Sequence, residues 1–140
     1  MLRVLIIDDE AHIRDTLSIM LARLCPQLNL VGESSGVANG IKAISELNPS
    51  LVFLDMNLGD GNAFDLLHEL NAYDFRLVLI SSFNREAIQA LKLSGLEYLQ
   101  KPFNPIELTE VVKRQENQEI SHLAMQLTAL EENLRHSGRR

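Results

Sequence analysis

Cysteine and tryptophan are almost missing from this chain: there is one Cys, at position 25, and no Trp. A single thiol excludes an internal disulfide framework and any cysteine-only metal site, and it suits a reducing cytosol. Long apolar runs are missing too. None exceeds four residues, as in 4–7 and 51–54, far short of the roughly 20 that span a bilayer. Asp8 and Asp9 come too early to leave room for a signal-peptide apolar region, so the expected location is the cytoplasm, without membrane contact. Basic charge is scarce, with 13 Lys and Arg against 19 Asp and Glu and a net charge of −6. Phosphate contacts need a basic face, so nucleic-acid binding by this chain itself is not expected. What is present, 46% hydrophobic and 23% charged residues over 140 positions, is the make-up of about one globular domain.

Four short apolar runs end in polar residues: 3–8 (RVLIID), 29–33 (NLVGE), 51–55 (LVFLD) and 76–81 (RLVLIS). A weaker fifth, 97–101 (EYLQK), precedes Pro102. The first, third and fourth are consecutive rather than alternating, which predicts parallel strands buried on both faces. Helical stripes lie between them. Ile13, Leu17, Met20, Leu21 and Leu24 form one, stopped by Cys25-Pro26, and Val37, Ile41, Ile44 and Leu47 a second, closed by Asn48-Pro49. Phe64, Leu67 and Leu70 suggest a third, and Ala87, Ile88 and Leu91 a fourth, ending near Gly95. A fifth starts where Asn104 can cap and Pro105 suits the first helical position, with Leu108, Val111 and Val112 facing inward. Five β-α alternations predict an α/β fold with a parallel sheet covered on both sides.

In open α/β sheets the functional crevice lies beyond the carboxyl ends of the strands. Polar groups gather at those ends here: Asp8 and Asp9 after the first strand, Asp55 ending the third, Ser81 the fourth and Lys101 the fifth. Two carboxylates about 4 Å apart repel by roughly 4 kcal/mol at an effective dielectric of about 20. Such a cluster must take up protons, recruit Lys101 or bind a cation. Oxygen donors with no His or Cys nearby favour a hard ion, and a partly hydrated Mg²⁺ fits best.

These residues resemble the receiver domain of two-component response regulators. The likeness rests on Asp8-Asp9 after the first strand, Asp55-Met56-Asn57-Leu58 after the third, Ser81, and Tyr98-Leu99-Gln100-Lys101-Pro102, and covers residues 2 to about 115. Looser features are similar to receivers of LytR/AlgR-type (LytTR) transcription regulators: Cys25-Pro26 with Val31-Gly32-Glu33, Asp65-Leu66-Leu67, and Leu96-Glu97-Tyr98-Leu99. The resemblance implies a flavodoxin-like (βα)₅ fold with strand order 2-1-3-4-5. It implies that Asp55 accepts a phosphoryl group from a sensor histidine kinase. Asp9 and Asp55 would bind Mg²⁺ directly, Asp8 largely through a metal-bound water, and the backbone carbonyl of Asn57 would complete the protein ligands. Lys101 would pair with phosphoryl oxygens, the Ser81 hydroxyl would donate to one of them, and Tyr98 would turn inward as Ser81 moves. The Lys101-Pro102 bond would be cis. A loose transition state leaves positioning and charge neutralisation as the main catalytic contributions. The expectation is therefore a signalling switch rather than a metabolic enzyme.

The sequence departs from the family at three places. Gly59 stands where Pro is usual, Ala63 where Gly is common, and Ser81-Ser82 replaces the frequent Thr-Ala. Ser keeps the hydroxyl, while Gly59 with Asp60-Gly61-Asn62 predicts a more flexible loop. Taken singly, Asp8-Asp9 reads as a helix cap, Asp55 as a turn cap, Lys101 as a solvated charge and Tyr98 as an edge residue. Asn84 reads as a cap, and His12, His68, His122 and His136 as surface or linker residues. A haloacid-dehalogenase-type phosphatase also uses a strand-end Asp and Mg²⁺, but places its second Asp two residues after the nucleophile. A receiver that only binds partners would not need all five site residues.

Residues 1–115 are expected to form the receiver and 116–140 a helical, coiled-coil-like tail. Ile120, Leu123, Leu127, Leu130 and Leu134 repeat at spacings of 3, 4, 3 and 4, a seam that predicts continuation of the fifth helix and a homodimer through it. The competing reading is a linker whose leucines pack on an output domain absent from this chain. DNA would be reached only through such a domain. A stand-alone regulator acting by protein–protein contact is the other possibility.

Overall fold

Aliphatic residues in unbroken succession point alternately to the two faces of a strand, and both faces then need cover. The computed structural model, which describes residues 1–118 and 122–137, meets that need with helices on either side of one sheet. The strands are β1 (Arg3–Ile7), β2 (Asn29–Ser34), β3 (Leu51–Asp55), β4 (Arg76–Ser81) and β5 (Glu97–Gln100). All pair in parallel, in the order β2-β1-β3-β4-β5. The helices are α1 (Ala11–Leu24), α2 (Val37–Leu47), α3 (Ala63–His68), α4 (Arg85–Ser94), α5 (Pro105–Asn117) and α6 (Leu123–Ser137). This is the expected flavodoxin-like (βα)₅ topology, with a sixth helix added.

Strand alternation divides the core. Val4, Ile6, Leu51, Phe53, Val78 and Ile80 face α1 and α5, meeting Leu17, Leu21, Leu108, Val111 and Val112. Leu5, Ile7, Val52, Leu54, Leu77 and Leu79 face the opposite layer, where Leu66 and Leu67 of α3 and Ala90 and Leu91 of α4 lie. Helix starts follow the expected chemistry. Asn84 accepts from the Ala87 N–H at 2.8 Å, and Asn104 from the N–H groups of Ile106 and Glu107 at 2.8 and 3.1 Å, with Pro105 at the first turn. The third helix is shorter than its stripe suggested, ending at His68 before Leu70.

The C-terminal helix is present, but not as a continuation of the fifth. α5 stops at Asn117, with Gln118 extended, and α6 is a separate helix from Leu123. Ile120 lies outside the described residues, as do 138–140 and the side chain of His136. Leu123, Leu127 and Leu130 are buried in the same apolar layer as Leu91, Leu96 and Phe75, and Leu134 packs against it. The stripe expected to meet a second chain therefore meets this one. α5 covers one face of the sheet and α6 joins the other. A core already closed at Val112 has to be corrected in the same way. The described part of 116–140 packs on the receiver fold instead of projecting from it.

Candidate functional site

β1 delivers Asp8 to the rim with its backbone still in register, its N–H donating to the Ser34 carbonyl at 3.0 Å. The Asp8 side chain is wholly buried. Its Oδ1 accepts from the Glu10 N–H at 2.9 Å, and Arg14 Nη1 donates to its carbonyl at 2.6 Å. Asp9, one residue on, is exposed. Asp55 closes β3 and is only 4% exposed. Lys101 reaches both buried carboxylates. Its Nζ lies 2.7 Å from Asp8 Oδ2 and 3.1 Å from Asp55 Oδ2. The bond to Asp55 is a directed hydrogen bond, whereas Asp8 Oδ2 is in charge contact without an aligned donor.

The electrostatics follow from burial. Desolvation pushes the Asp55 carboxyl up to about 6, Asp8 adds to the rise, and Lys101 with the Asn57 N–H pulls it back. Burial disfavours the Lys101 charge, but Asp8 and Asp55 outweigh that cost and hold its ammonium above the usual range. Two carboxylates thus share one cation in a water-poor rim, where Coulomb forces are stronger than at the surface.

Lys101 is aimed by its backbone. Its N–H donates to the Ser81 carbonyl at 2.9 Å, tying the end of β5 to the end of β4, and the Lys101–Pro102 peptide is cis, as expected. Ser81 is half-buried at the rim. Tyr98, half-buried on β5, packs edge-on against Phe83 with ring centroids 5.7 Å apart and planes at 83°. Phe83 was not singled out in the sequence. Its signal was an aromatic in the short connection from Ser81 to α4.

The loop after β3 carries several hydrogen bonds of its own. Leu58 N–H donates to the Gly61 carbonyl at 2.8 Å and Ala63 N–H to the Met56 carbonyl at 2.9 Å, while Asn57 bridges to Asn62. Asp60 accepts from the Val37 and Ala38 N–H groups at 2.8 and 3.4 Å, capping α2 across the rim. Those bonds hold its carboxyl below its ordinary value. Gly59 has φ +79°, which proline cannot adopt. The departure from Pro at this position thus goes with a different turn.

Among the described residues, the carboxylates of Asp8, Asp9 and Glu10 offer oxygens all within 4.8 Å of one another. The sequence pattern points to Asp55 and Asn57 as metal ligands beside Asp8 and Asp9, whereas the structure adds Glu10, the residue before α1. Asp55 falls outside that tight group but shares Lys101 with Asp8, and Asn57 is exposed beside it. An all-oxygen donor set fits a hard divalent cation. His12, exposed, lies 3.5 Å from Glu10, and His68 pairs with Glu131 at 2.6 Å. Cys25 is buried.

Residues 4–113 match the response regulator receiver domain family. The chain is 30% identical over 127 residues to the sensory transduction protein LytT of Bacillus anthracis, covering 89% of this chain and 51% of that protein. It is 36% identical over 133 residues to a response regulatory protein of Vibrio parahaemolyticus, covering 93% of this chain and 54% of the relative. It thus spans about half the length of the curated relatives it matches. In fold it is similar to the response regulator domain of Thermotoga maritima CheB, with a TM-score of 0.71 at 22% identity over 85% of this chain and 98% of that one. No helix among the described residues is long and apolar enough to cross a membrane.

Proposed function

The chain belongs to the response regulator receiver domain family of two-component signalling, and from that premise we propose that Asp55 is its phosphoacceptor. The observation that carries the assignment is the buried Asp55 carboxylate, sharing the Lys101 ammonium with Asp8 where three strands end. A carboxylate oxygen of Asp55 attacks the phosphorus of a phosphohistidine on a sensor kinase. A P–O bond forms as the P–N bond breaks, and the electron pair stays on the imidazole nitrogen. Lys101 neutralises charge on the transferred oxygens, and its two carboxylate contacts orient it beforehand. Mg²⁺, held by Asp9, Asp55 and the Asn57 carbonyl, with Asp8 acting through water, would supply further charge neutralisation when bound. Glu10 stands close enough to join through the Asp8–Asp9 side.

Phosphorylation adds about 1.5 to 2 negative charges and new acceptor oxygens. Ser81 donates its hydroxyl to one of them, and Tyr98 responds through Phe83. The relatives' greater length and the LytT likeness support a cytoplasmic regulator in which this receiver controls a DNA-binding output module. A stand-alone regulator working by protein contact is the second reading, and the docked α6 supports it, since the described tail is already packed.

The test is labelling by acetyl phosphate. Intact mass should rise by one phosphoryl group with Mg²⁺, stay unchanged with EDTA, and stay unchanged in Asp55→Ala. Labelling of Asp55→Ala equal to that of the unaltered chain would move the acceptor elsewhere. Release of many phosphates per chain would point instead to a Mg²⁺-dependent phosphatase.

A further inference from the structure

The phosphoacceptor chemistry makes no use of α6, yet α6 is fastened to two helices at once. At its first turns, Gln126 Nε2 donates to the Gly95 carbonyl at 3.1 Å, at the C-terminus of α4. Further along, Glu131 pairs with His68 at the C-terminus of α3 at 2.6 Å. Leu127 and Leu130 between these polar ties, and Leu123 just before them, are buried in the layer that holds Ala90, Leu91 and Leu96.

α4 also begins close in sequence to the site. β4 ends at Ser81 and α4 begins at Arg85, so only Ser82, Phe83 and the cap Asn84 intervene. A Ser81 hydroxyl drawn to a phosphoryl on Asp55 pulls on that short connection, and Phe83 carries the pull to Tyr98. α4 cannot follow freely while α6 clamps its far end to α3. Close-packed interfaces hold discrete arrangements and do not yield continuously. α1 and α5 lie on the other face of the sheet, outside this route.

We propose that α6 is an intramolecular strap whose docking across α4 and α3 opposes the phosphorylated state. Phosphorylation of Asp55 loosens α6, and by reciprocity weaker α6 docking strengthens phosphoryl capture. The inference rests on Asp55 being the phosphoacceptor. It adds a regulatory partner for that site within the chain, and it gives the leucine stripe a release-dependent exposure.

The full chain, with Mg²⁺ and beryllofluoride as the phosphoryl mimic, supplies the test. Amide hydrogen exchange across α6 should quicken about tenfold on binding, in the ordinary range of coupling between two sites, while α1 and α5 keep their protection. The double variant Gln126→Ala/Glu131→Ala cuts both polar ties and spares the leucines. It should bind beryllofluoride about fivefold tighter than the unaltered chain, for the same reason. If beryllofluoride binds but α6 exchange is unchanged or slower, and both proteins bind it equally, the strap is refuted and the Asp55 reading stands. If neither protein binds beryllofluoride, both readings fall.

Discussion

The rim at the carboxyl ends of the strands and the seam between α6 and α4 are held by opposite means. At the rim two buried carboxylates are reconciled by one ammonium, within 2.7 and 3.1 Å, and removing a partner strands a charge in a poorly solvating place. In the seam, leucines are covered with no direction required, and among the described residues its polar ties run from Gln126 to Gly95 and from Glu131 to His68. The rim therefore depends on which residues are present, and the seam on how much apolar surface is covered. Both reach α4, one through Ser81 and the other through Gly95, so the contrast can be tested one side chain at a time.

The largest effect is expected at the rim. Lys101→Ala removes the preorganised cation from both carboxylates, and Mg²⁺-dependent phosphorylation by acetyl phosphate should slow by about 10²–10³-fold, as when one such donor is lost elsewhere. A rate within a few-fold of the unaltered chain would mean that Lys101 is structural only. The seam answers in stability. Leu130→Ala should cost about 2–5 kcal/mol in urea unfolding followed by circular dichroism, whereas Met125→Ala, on the exposed side of α6, should stay within about 0.5 kcal/mol. Equal midpoints for the two variants would show that α6 does not belong to the core in solution.

Ser81→Ala is milder. Phosphorylation should slow by only about two- to tenfold, matching one hydrogen bond of about 0.5–1.5 kcal/mol, but the Tyr98 resonances should no longer shift with beryllofluoride. A shift of the same size as in the unaltered chain would uncouple the two residues. The smallest effect belongs to Asp60, whose carboxylate caps α2. Because its folded-state pKa is depressed below 3.8, its contribution is present above that pH and is lost as acid protonates it in the folded chain. Asp60→Asn should lower the melting temperature slightly at pH 7 and leave no difference from the parent well below pH 4. An undiminished difference in acid would assign the effect to something other than the charge.

Much of the site was legible because its chemistry is local to strand ends. Asp8, Asp55, Ser81 and Lys101 each close or follow an apolar run, and parallel strands necessarily bring such ends to one edge. Asn84 and Asn104 were readable as caps for the same reason, since a cap needs only its own first turn. Glu10, Phe83 and Asp60 were harder. Glu10 sits in a helix-start position that acidic residues often occupy, Phe83 looks like any loop aromatic, and Asp60 caps a helix that starts 23 positions earlier.

The seam marks where pattern alone stops. The spacing of Leu123, Leu127, Leu130 and Leu134 determined that a helix with one apolar face exists, and the uninterrupted β1, β3 and β4 determined a sheet covered on both sides. Hydrophobic burial, however, has no direction and accepts any apolar surface of suitable shape. Whether the leucines met a second chain, an output domain or α4 was decided by the end of α5 at Asn117 and the placement of α6 over Leu91 and Leu96. Likewise, the carboxylates and Lys101 could be named from their positions, but the sharing of one ammonium by Asp8 and Asp55 in a water-poor rim depended on burial that only the folded sheet supplies.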